Sequence, residues 1–268
     1  MTYKTTTSKE LGNAELKINI FTPESHKLTD KLPAIVFFFG GGWNGGSPSQ
    51  FYPHCEYFSS RGMVAMSAEY RVKTRHGTSP RECVKDGKSA IRWIRAHADE
   101  LGIDSNKLAA GGGSAGGHVA AAMATVDNFN EVGEEQNISC RPDALVLFNP
   151  VFDNGPEGWG YDRVQEYWQD FSPMHNIDED TPPTVVFLGT EDKLIPTATA
   201  ERYKKLMNNK GRRCDLYLYK GQGHGFFNFK NEEYYVETVV EADRFLASLG
   251  YLEGKPTLQN KPDAGDGQ

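Results

Sequence analysis

The sequence predicts an α/β fold, a mostly parallel twisted sheet with helices on both faces. Short apolar runs that read as buried strands alternate with helical patterns along nearly the whole chain. Two of these runs, Ala34 to Phe39 and Leu108 to Ala110, end at clusters of glycine, where a chain leaving a strand can turn tightly. The 268 residues suit one domain of this architecture, which often runs to about 250.

In chain order, Leu16, Ile18 and Ile20 alternate with polar residues, the pattern of a half-exposed strand ending at Pro23. Ala34 to Phe39 and Met63 to Ala68 follow as strands covered on both faces. Ser79-Pro80-Arg81-Glu82 opens a helix: Ser79 caps it, Pro80 suits the first turn and Glu82 reaches back to the cap. Val84, Ala90, Ile91 and Ile94 continue its apolar face to about Ala98. Leu108 to Ala110 runs into glycine and Ser114, and the small residues from Ala115 to Ala124 read as a tightly packed helix. Ala144 to Phe148, Thr184 to Leu188 and Leu216 to Tyr219 add strands, with helices near Thr197 to Asn208 and Tyr235 to Leu249. The stretch from about Asp153 to Ile177 breaks the alternation. Rich in Gly, Trp, Tyr and acidic residues, it is too long for an ordinary connection and reads as a small insertion over the site. Residues 1–254 thus form one domain, and 255–268, polar with Pro and Gly, read as a disordered tail.

A formal charge of −7 favours solubility and disfavours nucleic acid or an anionic membrane as partner. No segment reaches the ~18 apolar residues of a membrane span, and the N-terminus lacks a signal-peptide pattern. Those features point to the cytoplasm, or to a secreted or periplasmic address if a leader has been trimmed. Cys55, Cys83, Cys140 and Cys214 are scattered without a C-x-x-C pair, so they read as plain buried thiols and not as a disulfide framework or zinc site. Nothing indicates an oligomeric state.

Gly112-Gly113-Ser114-Ala115-Gly116 fits G-x-S-x-G, a strand-turn-helix elbow that lifts a serine hydroxyl clear of the backbone. The predicted strand before it and the Ala-rich helix after it supply the required context. A serine hydroxyl needs a base, and histidine can take up and return a proton near neutral pH. Of seven histidines, His224 lies in Gly221-Gln222-Gly223-His224-Gly225, a loop between a strand and the last helix. His97 suits a helix C-terminus, His118 suits packing, and His54, His76 and His175 belong to no motif. Asp192 follows a strand through Gly189-Thr190-Glu191, the position from which a carboxylate can orient the base, with Glu191 as the substitute. Phe39-Gly40-Gly41-Gly42-Trp43 ends another buried strand with its amides uncovered, so the N–H groups of Gly41, Gly42 and Ala115 are expected to form an oxyanion hole.

These motifs, in this order, resemble the α/β-hydrolase esterases, closest to the hormone-sensitive-lipase-like and acetylxylan or feruloyl esterase-like branch. The resemblance covers about residues 15 to 250. It implies that fold, Ser114 as nucleophile with Asp192 and His224, no metal or other cofactor, and ester substrates. The chain departs from the lipase-like pattern twice: Phe39 stands where His usually precedes the glycines, and Asp192-Lys193-Leu194 replaces Asp-Pro-Leu. Both shift the expectation toward enzymes that deacylate polysaccharides. The expected activity is therefore a carboxylesterase for short acyl or aryl esters, small molecules or carbohydrates. Trp43, Tyr70, Trp159, Tyr161 and Trp168 are candidates to shape the mouth. A prolyl-oligopeptidase-like peptidase is the alternative, although no part of the chain could build that group's propeller; a non-catalytic binding relative is the third reading.

Overall fold

The computed structural model describes residues 1–8 and 12–258. Its strands are β1 (Thr2–Ser8), β2 (Gly12–Phe21), β3 (Leu32–Phe38), β4 (Val64–Ala68), β5 (Ile103–Gly113), β6 (Ala144–Phe148), β7 (Thr184–Gly189) and β8 (Cys214–Tyr219). They form one sheet in the order β1-β2-β4-β3-β5-β6-β7-β8. Pairing is parallel from β4 through β8, and antiparallel for β1 with β2 and β2 with β4.

The central strands divide the core in two. Ala34, Val36 and Phe38 of β3 join one apolar cluster, while Ile35 and Phe37 join the other. That alternation follows from the two-residue period of a strand whose faces are both covered. Helices α3 (Pro80–Ala96), α5 (Ala115–Thr125) and α6 (Thr197–Asn209) cover the first face. Helices α1 (Tyr52–Ser60) and α7 (Glu232–Ser248) cover the second. Two single-turn helices, α2 (Lys73–His76) and α4 (Ala98–Leu101), complete the set. At the start of α3 the Ser79 N–H donates to Glu82 Oε2 at 3.0 Å, the return bond of the capping motif.

Four features differ from the sequence expectation or extend it. Strand β1 was not anticipated because Thr-rich Thr2–Ser8 has no apolar alternation. It is held instead by pairing with β2 and by Lys4, whose ammonium contacts Asp86 and Glu131 at 2.7 Å each. Helix α1 was also missed, since its apolar face is interrupted by His54. Cys140 is half-exposed, whereas the other three cysteines are buried, and all four are free thiols. Of the expected tail, Leu258 packs against the α7-side cluster, and 259–268 lie outside the described residues.

The sheet order also locates the site. The chain passes from β3 outward to β4 and then returns to β5 on the other side of β3. Connections leaving β3 and β5 therefore diverge, which opens a crevice at the carboxyl ends of those two strands. Phe38 pairs with Gly112, so Gly40–Gly42 and Ser114 emerge side by side at that crevice.

Candidate active site

Ser114 caps β5 with φ +54° and ψ −119°, a strained conformation for a residue bearing a side chain. The flanking glycines explain how such a turn fits. A Cβ on Gly116 would overlap the carbonyl oxygens of Phe38 and Phe39, and one on Gly112 would lie 2.7 Å from Phe38 O. The Ser114 N–H donates to Phe148 O on β6 at 3.0 Å, fixing the turn to the neighbouring strand. Its hydroxyl thus stands at the head of α5.

His224 Nε2 lies 2.9 Å from Ser114 Oγ, and His224 Nδ1 lies 2.7 Å from Asp192 Oδ2. The other oxygen of Asp192 accepts the N–H groups of Leu194 at 2.8 Å and Ile195 at 3.0 Å. Burial pushes the Asp192 carboxyl up, but the hydrogen bond from His224 and these amides outweigh it, so its pKa lies below the usual carboxylate value. The group is therefore ionised at neutral pH and accepts the Nδ1 proton, leaving the Nε2 lone pair facing the serine. Glu191, the substitute acid, is exposed and makes no hydrogen bond to His224. The loops carrying Asp192 and His224 are laced together: Glu191 N–H donates to Gln222 O and Thr190 N–H to Tyr219 O, both at 2.9 Å.

Asn149 was not singled out from sequence. Fully buried after β6, with φ +34°, it accepts the Gly225 N–H on Oδ1 at 2.8 Å and so holds the histidine loop from beneath. A lone Asn after a strand carries no motif, and only its contact reveals it.

On the opposite side, Gly40 N–H donates to Gln50 Oε1 at 2.6 Å. Gly41 and Gly42 adopt φ +126° and +60°. Their N–H groups have no protein acceptor among the described residues, and Ala115 N–H is one of the free donors at the head of α5. Gly41 and Gly42 thus border the cavity that contains Ser114, and Ala115 follows the serine at the head of α5. Gln50 was not foreseen either.

A cavity of about 570 Å³ opens over Ser114, with Gly41, Gly42, Trp159, Leu194, His224 and Phe227 among its walls. Of the aromatic candidates, Trp159 lines it. Trp43 is 1% exposed and Tyr70 fully buried, so both belong to the packing beneath the loop; Tyr70 stacks on Phe39 at 4.2 Å and donates to its carbonyl. Tyr161 and Trp168 pack edge-on within the insertion, Trp168 against His175, and are not among the cavity walls. The insertion itself consists of short turns at Tyr161–Arg163, Trp168–Asp170 and Pro173–Asn176, with Trp159 reaching to Gly42. A larger groove, about 1210 Å³, runs between β8 and α7 and contains none of these groups. Among the described residues, no helix is long and apolar enough to cross a membrane.

Comparison with known proteins agrees with this architecture. The BD-FAE family profile matches residues 18–153, and the dienelactone hydrolase family profile matches residues 162–249. Esterase LipC of Mycobacterium tuberculosis is 31% identical over 219 residues, covering 74% of this chain and 54% of LipC. An acetylxylan esterase of Xylanibacter ruminicola is 25% identical over 233 residues, covering 81% of this chain and 45% of that enzyme. The chain spans about half the length of the curated relatives it matches. Among solved structures, Thermogutta terrifontis esterase 2 phosphorylated by paraoxon is 44% identical, with TM-score 0.89 and 95% of each chain covered. Its propionate-bound form is 43% identical, with TM-score 0.87, covering 94% of this chain and 96% of that one. The chain belongs to the BD-FAE family and has the fold of the α/β-hydrolase esterases.

Proposed function

We propose that this chain is a serine carboxylesterase acting on short-chain acyl esters, with Ser114, His224 and Asp192 as its catalytic triad. The observation that carries the reading is the unbroken hydrogen-bond path from Asp192 through both nitrogens of His224 to Ser114 Oγ. In the reaction, Ser114 Oγ attacks the ester carbonyl carbon while His224 Nε2 takes its proton. The carbonyl oxygen gains charge and is received by the N–H groups of Gly41, Gly42 and Ala115. His224 then returns the proton to the departing alcohol, leaving an acyl group on Ser114. Water, deprotonated by the same imidazole, attacks that acyl-enzyme and releases the acid. Asp192 orients the ring and stabilises the imidazolium in both halves.

Trp159, Leu194 and Phe227 give the cavity apolar wall that suits a short acyl group. Thermogutta terrifontis esterase 2 has propionate-bound and butyrate-bound structures, which support the same substrate class here. Ser47, Ser49, Gln50 and Asn228 give the rim hydrogen-bonding groups. Together with the likeness to an acetylxylan esterase, they support carbohydrate esters as one source of the alcohol.

The test is hydrolysis of p-nitrophenyl esters from acetate to octanoate by the wild type and by Ser114→Ala. The wild type should favour acetate to butyrate, and Ser114→Ala should lose turnover on every ester. Retained turnover in the variant would remove the mechanism; a preference for octanoate would remove the short-chain assignment.

A further inference from the structure

The oxyanion side of the site has a structural problem that its sequence does not solve. Three consecutive glycines have no side chains to hold them, yet a useful oxyanion hole needs N–H groups held in one direction before the substrate arrives. The main chain fixes the peptide that carries the Gly42 N–H, whose Gly41 carbonyl accepts the Asn44 and Gly45 N–H groups at 3.0 and 3.2 Å, and peptides before and after it in the loop take side-chain partners. The first glycine is fixed by Gln50. The last is fixed from the insertion: Arg163 Nη1 donates to Gly42 O at 2.6 Å. The guanidinium itself packs beside two indoles that touch each other, its central carbon 5.0 Å from the Trp43 ring and 4.7 Å from the Trp159 ring, whose centroids are 5.2 Å apart. Among the described residues no carboxylate closes a salt bridge with it, so its hydrogen-bonding capacity is directed to the Gly42 carbonyl and not to a charge partner. Gly160, three residues before it, completes the fit: a Cβ there would come within 2.9 Å of the Trp43 ring and 3.4 Å of Arg163 Nη2.

We infer that Arg163 is a positioning residue that sets the oxyanion loop, so that the insertion takes part in catalysis by holding Gly42 as well as by covering the cavity. The inference rests on the esterase reading above. Its physical basis is a charge-assisted hydrogen bond to the peptide that follows Gly42, which limits how far Gly42 can turn between its two peptide planes, with the donor held against two indole rings. Because Arg163 acts on the loop that meets the developing oxyanion, its loss should lower the chemical step more than substrate capture. A residue that merely stabilised the insertion would change melting temperature and leave kcat of the folded fraction intact.

The experiment compares Arg163→Ala with wild type on p-nitrophenyl butyrate, with folding checked by circular dichroism. The expected result is kcat reduced by about 10–100-fold, since a loosened donor should cost somewhat less than a removed one, with KM changed by less than about threefold. Free guanidinium at low concentration should enter the space that the side chain leaves beside the indoles and recover part of the lost kcat. Unchanged kcat, a change confined to KM, or a loss that guanidinium leaves untouched would each overturn the role. Should Arg163→Ala fail to fold, Arg163→Lys carries the test: it keeps the charge but not the planar stacked fork, and its kcat should still fall about tenfold. Turnover by Ser114→Ala would overturn the esterase reading itself. An inactive Ser114→Ala beside a fully active Arg163→Ala overturns the Arg163 assignment alone.

Discussion

The two halves of the site are built differently. The acid–base half stands on main chain. Asp192 and His224 leave adjacent parallel strands, their loops are joined by backbone hydrogen bonds, and Asp192 is further held by two amides. The oxyanion half adds side-chain ties to a main-chain turn in which the Asn44 and Gly45 N–H groups donate to the Gly41 carbonyl. Gly40 is held by Gln50 and Gly42 by Arg163, partners 10 and 121 residues away in sequence. The first half is therefore tied together by main chain, and the second depends in addition on individual side chains that the fold does not dictate.

That contrast can be broken by mutation. The largest effect is expected at Asp192→Asn, which should lower kcat by ~10⁴ by leaving His224 in the wrong tautomer, while melting temperature changes little. A loss under tenfold, measured on p-nitrophenyl acetate, would transfer the acid's role to another group, with Glu191 next in the same loop. A smaller effect is expected at Gln50→Ala, about tenfold in kcat, because only one end of the glycine loop is freed and its donors remain present. Gln50 Nε2 also donates to Asn228 Oδ1, so this change touches the histidine loop as well. If Gln50→Ala proves as damaging as Asp192→Asn, the side-chain ties are not a supplement to the main-chain turn and the contrast between the halves fails.

The smallest effect concerns stability and not turnover. His54 is enclosed by Phe37, Phe51, Phe148, Phe227 and Tyr235, and neither ring nitrogen has a hydrogen-bond partner. Burial lowers its pKa to about 3, and His118 is lowered to about 3 by the same cause, offset in part by its bond to the Phe171 carbonyl. Between the unfolded value near 6.5 and the folded value near 3, the unfolded chain binds protons that the folded chain does not. Stability is thus complete above pH 6.5 and falls as pH drops, at about 1.4 kcal/mol per pH unit for each histidine. His54→Leu should reduce the loss of melting temperature between pH 7 and pH 4.5. An identical pH dependence in wild type and variant would show that His54 gains no proton on unfolding in that range.

The same division explains what could be read from sequence. The strand and helix alternation was legible because central strands buried on both faces must be apolar throughout, as Ala144–Phe148 is. Ser114, His224 and Asp192 could be picked out because each sits beside glycines or at a strand end, where the turn chemistry marks the position. Strand β1 could not, because pairing and the Lys4 ion pairs hold it in place of an apolar stripe. Nor could Asn149, Gln50 or Arg163, whose roles exist only through contacts made across the fold. Aromatic residues were the least legible: Trp43 and Trp159 look alike in sequence, yet one is buried beneath the loop and the other lines the cavity.

The central claim is that Ser114 becomes the covalently modified atom of this site. It is tested most directly by treating the protein with paraoxon and mapping the adduct by peptide mass spectrometry. One diethylphosphoryl group per chain is expected, on Ser114, with esterase activity lost in proportion to its formation. Activity lost with the adduct on another residue, or Ser114 modified with activity intact, would contradict it.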